Sequence, residues 1–297
     1  EKEHALALGG EIAMAGQGAL YAVSGKAIGR FDLGAGTWKS LVTDVIQPLS
    51  LASDPEGNLY VFDAAPERRN IRVYRPDGTL LRTIGEPGGY QVGPWNPNRL
   101  HSVTGLAVDG EGKLWAADST YWPKRVSVWT REGKFLREYL GPTEYGGGGM
   151  LDPWDRTRLL YGPLEFNLDW KAGTSSLKSL TWPPEDGWAA GDHPIHLNDR
   201  VYFVSRIQAA GNGMPVAIVY LYENQRLRPA AAMGAAEQWR PLHRPEIRNR
   251  LGKRTLPSLQ FLWTDANEDG VAQFEEIVFE DRQIGPFTRF RDDLSVQ

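Results

Sequence analysis

Between residues 48 and 84 apolar and polar side chains alternate in short runs, and each run is cut off by a turn rich in Asp, Gly, Pro or Asn. "SLAS", "LYVF", "IRVY" and "LLRTI" are separated by "DPEGN", a longer loop and "RPDGT". Period-two alternation bounded by Asp-Gly turns predicts strands joined as hairpins. The pattern returns without gaps 55 residues later, residues 51 to 84 lying over 106 to 139. Eleven of those 34 paired positions are identical, among them Asp54/Asp109, Gly57/Gly112, Asp63/Asp118, Gly78/Gly133 and Arg82/Arg137. Chance at average residue usage gives about two or three. A four-stranded antiparallel unit that repeats is a propeller blade, so the expected fold class is all-β, a β-propeller of four-stranded blades.

The two copies resemble the NHL repeat: an apolar strand, Asp-x-x-Gly, an aromatic strand ending in Asp, then a strand of Arg or Lys with apolar residues. That resemblance covers about a quarter of the chain and implies a six-bladed propeller, as in the NHL and SMP-30-like superfamily. More degenerate stretches with the same rhythm complete the count. The expected blades are 7–46, 47–90, 101–146, 155–185, 192–236 and 257–297 of a single domain, with an insertion at 237–256.

Within the sixth stretch, "DANEDGVAQFEE" (265–276) carries oxygen-bearing side chains at the spacing that wraps a calcium ion. Such a loop draws ligands from positions one, three, five, seven, nine and twelve and needs glycine at six. Here these are Asp265, Asn267, Asp269, the Val271 carbonyl, Gln273 and Glu276, with Gly270 at the turn. The flanks "LQFLWT" and "IVFED" read as strands, so the loop is similar to the free calcium loops of dockerin-type modules and not to a helix-flanked sensor. Laid over the repeat, Asp265 falls where Asp54 and Asp109 stand, so the loop reads as an enlarged first turn holding a structural Ca2+. The alternative is an acidic Asp-Gly hairpin without an ion.

In a blade the first-to-second turn and the link to the next blade lie at opposite ends of the strands. The ion loop is therefore expected opposite the long stretches 86–102, 119–125 and 141–158, which carry Tyr90, Trp95, His101, Tyr121, Trp122, Lys124, Tyr145 and Trp154. Long loops on a rigid scaffold are where binding resides, and aromatics there stack on sugars or other flat faces. These eight residues form the expected ligand-binding rim; the competing reading is that the aromatics cap the blade ends.

Composition narrows the partners. A net charge of −4 with pI near 5.8 offers no attraction for nucleic acid, and the longest apolar run, "MPVAIVYLY", is too short to span a bilayer. Zero Cys excludes disulfides and thiolate chemistry. Eleven Trp is about two to three times average usage. No signal peptide is visible in "EKEHALALGG", and the chain reads as a trimmed piece. A calcium loop of modest affinity fills where calcium is plentiful, which points to a periplasmic or secreted protein.

The remaining motifs carry less. "GGGG" at 146–149 lacks the Lys-Ser/Thr of a phosphate loop, and His193 and His196 flank Pro194 and do not form a helical metal pair. Asp63 and Asp118 recur with the repeat and are expected to tie loop amides. The basic stretch 239–254 reads as a solvated insertion. The expected function is a calcium-stabilised scaffold binding a small-molecule, carbohydrate or protein ligand through its long-loop face. The alternatives are a propeller enzyme of lactonase, lyase or hydrolase type with a metal at the channel mouth, and a carbohydrate-binding accessory protein. No catalytic residue is assignable.

Overall fold

In the computed structural model of the protein, residues 12–14, 19–120, 122–141, 149–182, 194–207, 216–281 and 291–295 are described. Among them the chain forms five antiparallel sheets and almost no helix, in two compact units: residues 1–91 with 96–146, and residues 92–95 with 147–297.

The first unit holds three four-stranded meanders in sequence order. They are β1 to β4 (Ile12–Met14, Ala19–Ser24, Ala27–Asp32, Thr37–Val42), β5 to β8 (Pro48–Ser53, Leu59–Asp63, Asn70–Tyr74, Leu80–Ile84), and β10 to β13 (Val103–Val108, Leu114–Asp118, Arg125–Trp129, Phe135–Leu140). The predicted offset of 55 holds for nearly every strand end, because turn chemistry sets where each strand stops. At the second turn of the repeat Gly78 takes φ 90°, and a Cβ there would stand 2.3 Å from the Leu41 carbonyl oxygen, so only glycine fits.

Strand β6 is buried along its whole length, because its alternate residues feed two cores. Leu59 and Val61 pack with Tyr21, Ile28, Val42 and Leu51, whereas Tyr60 and Phe62 pack with Ile71, Ile84, Leu100, Leu114 and Trp129. The first meander therefore packs on one face of the second and the third on the other, which is face-to-face blade stacking.

The second unit has two sheets. β9 (Gly93–Pro94) is an edge strand on β17 (Thr174–Leu180), which continues a meander of β14 (Met150–Leu151), β15 (Arg158–Tyr161) and β16 (Leu164–Asp169). The other sheet runs through six consecutive strands: β18 (Pro194–Leu197), β19 (Arg200–Ile207), β20 (Val216–Glu223), β21 (Arg226–Ala235), β22 (Gln260–Thr264) and β23 (Ile277–Glu280). Here the structure departs from the expected division, since the fifth and sixth stretches share one sheet: Ala231 to Ala235 of β21 pair with Thr264 to Gln260 of β22.

The stretch between them is also more than a solvated insertion. It forms 3-10 turns at Ala236–Gln238, Arg240–His243 and Leu256–Ser258 and a short α-helix at Pro245–Arg248. Trp239, Leu242, Ile247, Leu251, Leu256 and Leu259 are buried in the core of this unit, while Arg240, Arg248 and Arg250 face solvent. The basic residues mark only the outer side of an amphipathic cap. Each sheet is an up-and-down meander or an extension of one, and the fold class is all-β, of the β-propeller kind. No helix among the described residues is long and apolar enough to cross a membrane.

Candidate functional site

Pairing on β21 fixes the position of the 265–276 loop. The register Ala231↔Thr264 puts Asp265 just past the strand end, where its amide donates to the Ala230 carbonyl at 2.9 Å. The loop then folds on its own short side chains. Asp265 Oδ1 accepts the Gly270 amide at 3.1 Å, Asn267 Oδ1 the Asp269 amide at 3.1 Å, and Asp269 Oδ1 the Val271 amide at 2.7 Å. Glu268 and Gly270 take positive φ of 63° and 71°, which turns the backbone back on itself. Gln273 and Glu276 close the loop as a capping box on the turn Phe274–Glu276.

The donor set is all oxygen, the chemistry of a hard cation. One of those oxygens, Gln273 Oε1, is buried and faces the Glu276 amide in the capping box without a donor at full hydrogen-bond geometry. A buried acceptor paired so weakly is costly, and a cation would relieve it. The carboxylate oxygens already have donors. The fully buried Asp265 carboxylate is paired with Arg228 through Oδ2. Asp269 Oδ2 accepts Gln273 Nε2 at 2.7 Å and Asn267 Nδ2 at 3.1 Å. Glu276 accepts the Ala266 amide at 3.0 Å and Trp263 Nε1 at 2.9 Å. The Val271 amide, and then Gln273 and Asn267, hold the Asp269 carboxyl below its ordinary value. Among the described residues no three acidic or histidine side chains gather closely enough to hold a metal as they stand. The backbone and donor chemistry thus suit calcium, while Arg228 occupies the charge position at Asp265.

Arg228 is aimed there by the hairpin between β20 and β21. Asn224 and Gln225, both at positive φ (51° and 61°), make its two-residue turn. The turn leaves Glu223, Arg226 and Arg228 at one end of the sheet, with Arg228 Nε donating to Glu223 Oε1 at 2.7 Å. Beside them opens a cavity of about 760 Å3, lined by Val92 and Pro94 on one side and by Asp269 and Gly270 of the loop on another. This corrects the expected separation of faces, because part of the long stretch 86–102 shares a cavity with the ion loop. The physical reason is local: residues 92–95 leave the first unit to extend the second, with the Trp95 amide donating to the Lys178 carbonyl at 2.9 Å.

The eight rim residues do not form one exposed surface. Tyr90, His101 and Trp122 are buried, with relative exposures of 7%, 9% and 5%, so these three cap the blades. Tyr90 stacks on His101 at 5.3 Å and donates to Asp118 at 2.9 Å. Asp118 also accepts the His101 and Ser102 amides at 2.7 and 3.1 Å, as Asp63 accepts those of Gln47 and Ile46 at 2.9 and 3.0 Å. Both aspartates tie loop amides, as their recurrence predicts. Lys124 and Trp95 are half-buried, and Tyr121 and Tyr145 lie outside the described residues. Trp154 is 61% exposed and stacks on His196 at 4.1 Å.

Behind that stack lies a buried charged network with no repeat signature. Arg158 bonds Glu165 at 2.7 Å and Asp152 at 3.1 Å, and its guanidinium lies over the Tyr222 ring at 4.4 Å. Lys178, Ser179 and the Tyr222 hydroxyl also donate to Glu165, at 2.9, 2.7 and 2.6 Å. Burial alone would raise the Glu165 carboxyl, but the donors from Tyr222, Ser179 and Lys178 and the Arg158 charge outweigh it and hold the group below its ordinary value. Because the folded-state value is depressed, this stabilisation is complete above the unfolded value and is lost as pH falls through the folded one. Urea unfolding of Glu165→Gln is therefore expected to show a smaller loss of stability between about pH 6 and pH 3 than the parent. Equal losses in the two proteins would contradict the assignment.

No family model matches the chain, and no curated protein matches it. Solved structures do resemble it distantly. A chain of a nidogen/laminin complex is 16% identical over 73% of this chain and 77% of that one, with a TM-score of 0.36. A catalytically inactive virginiamycin B lyase from Staphylococcus aureus, solved with quinupristin, is 14% identical over 93% and 84%, with a TM-score of 0.32. An auxiliary nutrient binding protein from Bacteroides thetaiotaomicron is 10% identical over 75% of this chain and 57% of that one, with a TM-score of 0.34. At these scores the likeness assigns neither ligand nor reaction.

Proposed function

We propose that this chain is a ligand-binding scaffold of NHL-type blades whose 265–276 hairpin takes a structural calcium ion. The observation that carries the reading is the all-oxygen donor set of a loop that turns at Glu268 and Gly270 and folds on Asp265, Asn267 and Asp269 as a calcium loop does, with the buried Gln273 Oε1 held by no more than the Glu276 capping contact. The ligands would be Asp265, Asn267, Asp269, the Val271 carbonyl, Gln273 and Glu276, and the ion would neutralise carboxylates that now rely on Arg228 and amide donors. Its role is structural: it fixes a long hairpin at the open end of a six-stranded sheet, where the chain entropy of a free loop would otherwise oppose order. A loop of this kind fills where calcium is abundant, which supports an extracytoplasmic location.

Calorimetric titration of chelator-stripped protein is expected to find one calcium per chain, and Asp269→Ala is expected to abolish the heat. No binding up to about 10 mM calcium would contradict the reading. A second ion retained in the Asp269 variant would favour a metal-assisted enzyme instead.

A further inference from the structure

The cavity beside the ion loop has a composition that the calcium reading does not use. Its walls include Val92, Pro94, Leu227, Pro229 and Trp182, with Arg226 at the mouth. Trp182 is partly buried against the core and packs edge-on to Tyr220 at 5.0 Å, yet its indole N–H is buried with no hydrogen-bond partner among the described residues. Arg226 is exposed and, among the described residues, makes no ion pair. Its guanidinium packs against the backbone at Gly93, where a Cβ would come within 3.2 Å of Nε.

The acidic residues of the lining are differently placed. Glu223 is paired with Arg228, and Asp269 already accepts the Val271 amide and the side-chain amides of Asn267 and Gln273. Arg226, with five guanidinium N–H groups, is therefore the cation of the lining that no carboxylate pairs with among the described residues. A planar cation without a carboxylate partner, next to apolar walls, matches an anionic group joined to a flat apolar body.

We propose that this cavity binds a monocarboxylate carrying a flat apolar or aromatic body, its carboxylate taken by Arg226 and its flat body laid against the apolar wall that includes Trp182. The site rests on the binding-scaffold reading, and its carboxylate contact at Arg226 uses no residue of the ion loop. Glu223 sets its specificity against dianions, since it carries negative charge in the same wall.

The test uses 2-naphthoate as probe and 2-naphthamide as its neutral counterpart, with tryptophan fluorescence as the readout, in chelator and again in calcium. The acid is expected to bind saturably and at least about 10-fold tighter than the amide, because a charge-assisted pair is lost in the amide. Arg226→Gln is expected to remove that preference, and Trp182→Ala to weaken acid and amide alike by about 3-fold or more, because it removes part of the apolar wall. Arg226 is exposed at the start of β21 and glutamine keeps most of its aliphatic stem, so its variant reports on binding and not on folding. Equal affinity for acid and amide, an unchanged affinity in Arg226→Gln, or no saturable binding of the acid up to about 10 mM would overturn the proposal. Arg226→Gln is expected to leave the calcium titration unchanged, so failure here is distinguishable from failure of the ion loop.

Discussion

Asp118→Ala is expected to lower the stability of the protein by about 3 kcal/mol or more. The carboxylate is 3% exposed and accepts two backbone amides and the Tyr90 hydroxyl. Alanine cannot replace those bonds, and each buried donor left unpaired costs about 1–3 kcal/mol. Asp63→Ala is expected to act similarly, because Asp63 holds the Ile46 and Gln47 amides and the Arg68 guanidinium. Burial alone would raise the Asp63 carboxyl, but those donors keep it below its ordinary value. Urea unfolding of the two variants measures the effect. A loss under about 1 kcal/mol in both would contradict a tethering role, since that is no more than an ordinary surface substitution gives.

Arg228→Gln is expected to make stability strongly calcium-dependent. In chelator the variant leaves the fully buried Asp265 carboxylate without its cation, and breaking such a pair costs about 3–5 kcal/mol. In calcium the ion supplies the missing charge, and binding to the folded state alone restores about 2.7 kcal/mol at 100 times the dissociation constant. Glutamine also removes the competitor for Asp265, so calcium is expected to bind the variant more tightly than the parent. Equal destabilisation with and without calcium would show that the ion never reaches Asp265.

What the sequence made legible follows from how local each signal is. Strand ends between Pro48 and Leu140 are set by Asp and Gly at turn positions, so a 55-residue offset locates them almost to the residue. The same logic found Asp265 at the end of a strand. It did not reveal that β22 joins β21, because that pairing closes over the segment 236–259, and no turn residue reports on a non-local edge. Leu242, Ile247 and Leu251 are core residues spaced four to five apart among arginines, and the charge masked them. Tyr90, His101 and Trp122 were readable as aromatic but not as buried, since a ring with a polar atom serves equally as a cap or a rim. Arg226, Arg228 and Trp182 have no motif at all. A two-residue Asn-Gln turn and a register bring the two arginines to one end of the hairpin, and Trp182 meets them only through the fold. The Glu165 network was invisible for the same reason, its members spread from Asp152 to Tyr222.

The central claim is that the 265–276 hairpin is completed by calcium. Differential scanning calorimetry of chelator-stripped protein, with and without millimolar calcium, tests it most directly. The account predicts a higher midpoint in calcium for the parent, and an increment mostly lost in Asp265→Ala and Glu276→Ala, each of which removes a ligand carboxylate. A parent midpoint unchanged by calcium would contradict it.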